Sequence, residues 1–213
     1  MRRIAFLALP ALVALPLALI AQTAPPREAP GKVDPGRVTA GSYAVEATHS
    51  QVGWEVMHFG FNPYYGLFGD ITGTMTLDPT NLNATKVDVQ IPLTSVATSS
   101  KGLTEHLLRP GKDGGKPDFF GATPAAARFV STRVVAKGNE AMITGNLTLN
   151  GVTKTVVLEA EFTGAGMNPF RKKETVGFEA ETTIKRSDFG IMTALPLVGD
   201  EVELDISVAF EKQ

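Results

Sequence analysis

From Tyr43 onward, apolar and polar residues alternate with a period of two. Val52, Trp54 and Val56 alternate with Gln51, Gly53 and Glu55, and Val87, Val89 and Ile91 alternate with Lys86, Asp88 and Gln90. Longer runs follow at 156–162, 176–180 and 202–210. Such a pattern makes strands with one dry face and one wet face. It favours antiparallel pairing, because buried parallel strands read as unbroken apolar runs. Eight strands are predicted, at about 43–57, 67–77, 84–91, 127–136, 141–149, 152–163, 175–186 and 201–211. Asn150-Gly151 offers the two positive φ angles that a two-residue hairpin requires. Lys137-Gly138-Asn139-Glu140 predicts a second hairpin, and Asp78-Pro79-Thr80-Asn81 starts a third connection.

One stretch breaks the period. Residues 99–108 (SSKGLTEHLL) predict a short helix capped by Ser99 or Ser100. Residues 109–118 form a loop of Gly, Pro and Lys, and Phe119-Phe120-Gly121 reads as a single helical turn. A helical insertion therefore separates strands three and four of an all-β chain. Eight antiparallel strands can close into a barrel, with an interior filled by side chains or holding one small ligand. A two-sheet sandwich is the competing architecture.

Residues 1–24 do not belong to that pattern. Arg2 and Arg3 precede an apolar stretch at 4–20, and the small residues Ala21, Thr23 and Ala24 follow. This is the layout of a secretory signal peptide. A permanent membrane anchor fits less well, since the run is short for a span and is broken by Pro10 and Pro16. Residues 25–41 are Pro-rich and predict a flexible or extended linker, leaving 42–213 as one folded domain. The chain of 213 residues has no cysteine. That excludes a disulfide scaffold, a thiolate nucleophile, zinc ribbons and Fe–S clusters. Export without cysteine points to a bacterial periplasm, where disulfides are permitted but not obligatory. The net charge is −2, falling to −4 once Arg2 and Arg3 are removed with 1–24. An acidic balance gives no support for nucleic-acid binding.

Several stretches, in order, resemble the YceI-like family of periplasmic, lipocalin-like proteins. They are His49-Ser50-Gln51-Val52-Gly53-Trp54-Glu55-Val56-Met57-His58 with Gly66-Leu67-Phe68-Gly69, then Glu105-His106-Leu107 with Phe119-Phe120 and Arg128-Phe129-Val130-Ser131. Further on come residues 145–154, Lys185-Arg186-Ser187-Asp188-Phe189-Gly190-Ile191 and Val198-Gly199-Asp200-Glu201-Val202. The resemblance implies an eight-stranded lipocalin-like barrel that holds a long isoprenoid chain, a polyprenyl phosphate or an isoprenoid quinone, in an apolar tunnel. It implies binding or transport without established catalysis. Glu105 stands where the family usually has Asp, and 111–117 looks like an insertion, so head-group specificity is open to change here.

The alternation points Trp54, Val56, Phe68, Met75, Val89, Val156, Leu158, Phe178 and Ile184 inward. Alternation alone fits a filled core; the resemblance turns the same residues into a tunnel lining. Leu107, Phe119 and Phe120, from the stretches that carry the resemblance, join them as ligand-binding candidates. His58 shares the inward parity of Val52 and Trp54 and is a candidate for a head-group hydrogen bond. Arg186 is a candidate for a ligand phosphate, which its planar fork suits, or for a conformational lock together with Ser187, Asp188 and Gly190. His49, His58 and His106 lack a local metal-ligand motif, so no metal or cofactor is expected. Arg171-Lys172-Lys173 reads as a solvated loop able to touch anionic lipid transiently. An open tunnel mouth or a strand edge leaves room for a homodimer. Two other functions compete: an enzyme on the same scaffold using His58 or His106 with a carboxylate, and a ligand-free stress-protective module with a solid core.

Overall fold

The structure, a computed structural model, describes residues 28–213. The signal-peptide reading of 1–24 lies outside those residues. The strands are β1 (Gly41–Val45), β2 (Gln51–His58), β3 (Asn62–Phe68), β4 (Thr72–Leu77), β5 (Lys86–Ile91), β6 (Ala97–Thr98), β7 (Ala127–Lys137), β8 (Glu140–Leu149), β9 (Val152–Met167), β10 (Glu174–Lys185) and β11 (Val198–Lys212). Among the described residues one α-helix, α1 (Lys101–Leu107), lies between β6 and β7.

All pairings between strands are antiparallel, in the order β1-β4-β5-β7-β8-β9-β10-β11, and β1 returns to β11. That ring is a closed eight-stranded barrel. The segments β2, β3 and β6 extend it beyond the closure, because β2 continues β1, β3 precedes β4 and β6 follows β5. The sandwich alternative is thereby excluded.

The strand predicted at 43–57 is thus split by a bend at 46–50 into β1 and β2. Tyr43 is fully buried at an odd position, whereas Val52 is buried at an even one. Inward parity switches between them, so the chain must bend. The bend is tied by the buried Glu46 carboxylate, which accepts the backbone N–H of His49 at 3.0 Å and of Thr48 at 3.3 Å. Ser50 Oγ donates to the Glu46 carbonyl at 2.7 Å and accepts Ala209 N–H at 3.1 Å. A second switch separates Phe68 from Met75, around Asp70 with φ of 52°. A register shift between Ser131 and Arg133 switches β7 from inward Phe129 to inward Val134. Bulges of this kind re-aim side chains and bend a barrel wall.

The strand predicted at 67–77 is likewise split, into the end of β3 and β4, and β3 begins already at Asn62. Pro63 and Gly66 hide it in the sequence, although Pro63 is tolerated opposite Met57. The turn at Asn150-Gly151 has φ of 53° and 78°, the predicted pattern. Helix α1 is capped by Ser100, whose side chain accepts the N–H of Leu103. Phe119 and Phe120 do not form a helical turn. They lie in a bend, where Phe120 N–H donates to the Leu107 carbonyl at 3.0 Å and Gly121 has φ of 82°.

The described part of the linker, 28–40, is extended as expected but is docked rather than free. Lys32 exchanges backbone bonds with Ala165 at 2.8 and 3.0 Å. The crossing is close: a Cβ on Gly166 would sit 2.2 Å from the Pro30 carbonyl oxygen. Thr39 donates from its N–H and its hydroxyl to Glu174, and so does the buried Tyr43 hydroxyl. The barrel therefore has a linker end, with the 78–85, 138–139 and 168–173 connections. Its helix end carries the 59–61 turn, α1 and the 186–197 segment.

Candidate functional site

The barrel is hollow. A cavity of about 830 Å³ runs through it, reaching Pro35, Val38 and Leu82 at the linker end and His58, Phe119 and Ala194 at the helix end. The 16 residues of β9 span about 40 Å along the axis, at roughly 3.3 Å per residue and a ~40° tilt. Spread over that length, the volume gives a mean cross-section of about 20 Å². That is room for one hydrocarbon chain.

Register explains how the tunnel stays open from the 138–139 turn inward. Ala136, Ala141, Ala160 and Ala180 are consecutive cross-strand partners on β7, β8, β9 and β10, and all four line the cavity. The row continues through Ile206 and Val52 to Phe68. Four methyl groups side by side leave the space that larger residues would fill. Rings elsewhere are pressed against the wall. Trp54 lies over Gly66, where an added Cβ would meet the indole at 2.1 Å, and Phe129 lies over Gly145 at 2.3 Å. The Trp54 indole N–H is buried and has no partner. Toward the linker end, Phe162, Phe178 and Phe210 pack in sequence at tilted and edge-on angles, with centroids 5.9 and 6.3 Å apart.

Trp54, Val56, Phe68, Met75 and Val89 line this cavity, as do Val156, Leu158, Phe178 and Ile184. Leu107, Phe119 and Phe120 close over its helix end, with Phe120 edge-on to Phe68 at 5.7 Å. His58 also borders the cavity, near the rim, its ring 4.2 Å from that of Phe59. Polar groups are few along the lining, so burying a tail there leaves little unpaired.

Arg186 borders the cavity too, but its guanidinium is already engaged. It is only 6% exposed and donates to the carbonyls of Gly199, Ile191, Thr193 and Val198 at 2.7–3.0 Å. Four of its five N–H groups are spent locking the 186–199 segment, which leaves little for a phosphate. Burial pushes its pKa down from the usual arginine value, and the nearby Asp200 pulls the other way. Asp200 also accepts the N–H and hydroxyl of Ser187 at 2.9 and 2.7 Å, which holds its carboxyl below the ordinary range. Of the residues expected to form the lock, Arg186 and Ser187 take part and Asp188 does not. Asp188 faces Lys154 at 3.7 Å, and Asp200 does the holding. A serine in the turn after β10 and an aspartate on β11 leave no local signal.

The other histidines separate. His49 Nδ1 is 2.7 Å from the buried Glu46 carboxylate at the strand bend. His106 Nε2 is 2.8 Å from Asp118, with its ring edge-on to Phe119 at 5.3 Å. Glu105 is exposed and 3.8 Å from Lys101. Arg171 donates to Glu46 at 2.7 Å and to Glu211 at 3.4 Å, so that cation serves the linker end.

A closed antiparallel barrel with a lengthwise apolar tunnel is the architecture of a lipocalin-like binding protein. The comparisons make it specific: the YceI-like domain family matches residues 43–210, and the chain belongs to that family. It is 43% identical over 176 residues to Protein YceI of Shigella flexneri, covering 81% of this chain and 88% of that one. The crystal structure of the Campylobacter jejuni YCEI protein is similar at a TM-score of 0.61 and 30% identity, over 74% of this chain and 90% of that one. Burkholderia cenocepacia BcnA superposes at a TM-score of 0.65 with 25% identity, over 78% and 98%. A polyisoprenoid binding domain from Saccharophagus degradans shares the fold at a TM-score of 0.57 and 16% identity, over 80% and 98%.

Proposed function

We propose that this protein binds a long-chain isoprenoid lipid, a polyprenyl phosphate or an isoprenoid quinone, in its tunnel and carries or sequesters it in the periplasm. One observation carries the reading: an apolar cavity that runs from one end of the barrel to the other with room for a single chain. Apolar area removed from water contributes roughly 25 cal/mol per Å², so an isoprenoid tail needs a dry lining more than it needs polar partners. Family membership supports the reading, and so does the polyisoprenoid binding domain that shares the fold. The apolar N-terminal segment with Arg2 and Arg3 supports export.

Native mass spectrometry of the processed protein, followed by organic extraction, tests it. A stoichiometric prenyl lipid or quinone is the expected result. An apo mass that stays unchanged after incubation with polyprenyl phosphates and quinones would refute it. A catalytic reading has one observation in its favour, the His106–Asp118 pair at 2.8 Å. It predicts a turnover of the bound lipid that His106→Ala abolishes while leaving lipid uptake intact.

A further inference from the structure

The helix end of the barrel carries a lip of exposed apolar residues that the cavity does not use. The turn between β2 and β3 presents Phe61, which is 86% exposed. The 186–197 segment presents Met192 and Leu197, 59% and 62% exposed. The two pieces are adjacent: Phe59 N–H donates to the Leu197 carbonyl at 2.8 Å, and His58 pairs with Val198. The lip is continuous with the tunnel, because Phe59, Asn62 and Ala194 from the same two pieces line the cavity.

Three further features say what meets it. No Asp, Glu, Lys or Arg occurs in 56–69 or in 189–199, so the lip can leave water without stripping a charge. Just below it, Glu55 faces Glu203 across β2 and β11, and Asp205 follows, which disfavours an anionic surface there. The turn also keeps an aromatic where folding would prefer another residue. Phe59 has φ of 51° and Gly60 of 70°, positions suited to Asn, Asp or Gly. A bulky side chain held in the left-handed region signals a use other than folding.

We infer that this lip docks on the neutral interface of a lipid bilayer and opens the tunnel directly to the acyl layer, so that the cargo moves without crossing water. The inference rests on the lipid-binding reading above and says where loading occurs. A second copy of the chain on the lip would seal the tunnel instead of feeding it. Phe170 and the Arg171-Lys172-Lys173 loop lie at the opposite, linker end and offer a different, electrostatic mode.

The test is flotation of the processed protein with vesicles of phosphatidylcholine alone, at low and high salt. Binding of farnesol is followed in parallel through Trp54, the chain's single tryptophan. Wild type is expected to float, with little salt dependence. Phe61→Ser combined with Leu197→Ser is expected to lose roughly tenfold or more in vesicle partition while keeping farnesol binding, since neither side chain lines the cavity. Phe170→Ser is expected to float like wild type. Phe59→Asn is expected to weaken flotation while melting no lower than wild type, the opposite of what a folding role predicts. Farnesol binding without flotation would overturn the docking inference alone. So would flotation that needs anionic lipid, or a wild-type dimer that Phe61→Ser and Leu197→Ser dissociate. Flotation without binding of any prenyl ligand would refute the lipid-binding reading and, with it, the loading role.

Discussion

Ala160→Phe tests whether the alanine row keeps the tunnel open. Ala160 is buried near the middle of β9, flanked by Ala141 and Ala180, with Trp54 one inward row nearer the helix end. With a mean cross-section of about 20 Å², a benzyl group at this level divides the tunnel. About half of the ~40 Å length then lies beyond the block. Each C5 unit expelled forfeits up to about 4 kcal/mol of transfer free energy. Even about 1 kcal/mol net per unit, repeated over several units, exceeds a hundredfold in Kd. A short ligand such as farnesol fits on the Trp54 side and should bind as before. The assay is a Trp54 fluorescence titration of delipidated protein with farnesol and with a long-chain polyprenol, alongside a melting curve. Filling empty space should leave stability nearly unchanged, whereas forcing a ring into a packed core costs about 1–3 kcal/mol. The reasoning fails if Ala160→Phe is destabilised by that amount and discriminates no better between the short and the long chain.

Other expectations follow from the same geometry. Arg186→Met leaves four carbonyls without their donors and should lower unfolding free energy by about 4 kcal/mol in urea; a loss under about 1 kcal/mol would mean that water replaces the guanidinium. Gly66→Ala places a methyl 2.1 Å from the Trp54 ring, so the indole must tilt into the tunnel. Its emission should shift and prenyl binding weaken, and an unchanged spectrum would contradict the stacking. Stability should also depend on pH in two limbs. Burial raises the Glu46 and Glu174 carboxyls, but hydrogen bonds from His49 and Thr48, and from Thr39 and Tyr43, outweigh it and hold both below 4.5. Their contribution is present above that value and is lost as pH falls through the folded pKa. Tyr43 is pushed from 10.0 to about 12 by burial and by Glu174, so its contribution is full below pH 10 and fades toward 12. Urea midpoints across pH check both limbs, and an acid limb unaltered by Glu46→Gln with Glu174→Gln would be the contrary result.

The alternation of Val52, Trp54 and Val56, and of the long runs in β9, β10 and β11, was enough to define strands, their inward faces and antiparallel pairing. Period-two patterning is a local property, so it is written in neighbouring residues. The same is true of the Asn150-Gly151 turn and of a serine cap at 99 or 100. The bend between β1 and β2 was not legible: 43–57 reads as one strand, and only the structure shows Tyr43 buried at an odd position and Val52 at an even one. What ties the bend, Glu46 with His49 and Ser50, required knowing that Ala209 lies alongside. The hollow centre was legible only through the family resemblance, not from the alternation. An alanine reads the same in a packed core as beside a void. Only the cross-strand register sets four of them in one row and lays Trp54 and Phe129 over glycines. The Arg186 lock shows the same limit. Its carbonyl partners are backbone atoms, which every residue carries, so tertiary geometry alone decides which of them a buried guanidinium meets.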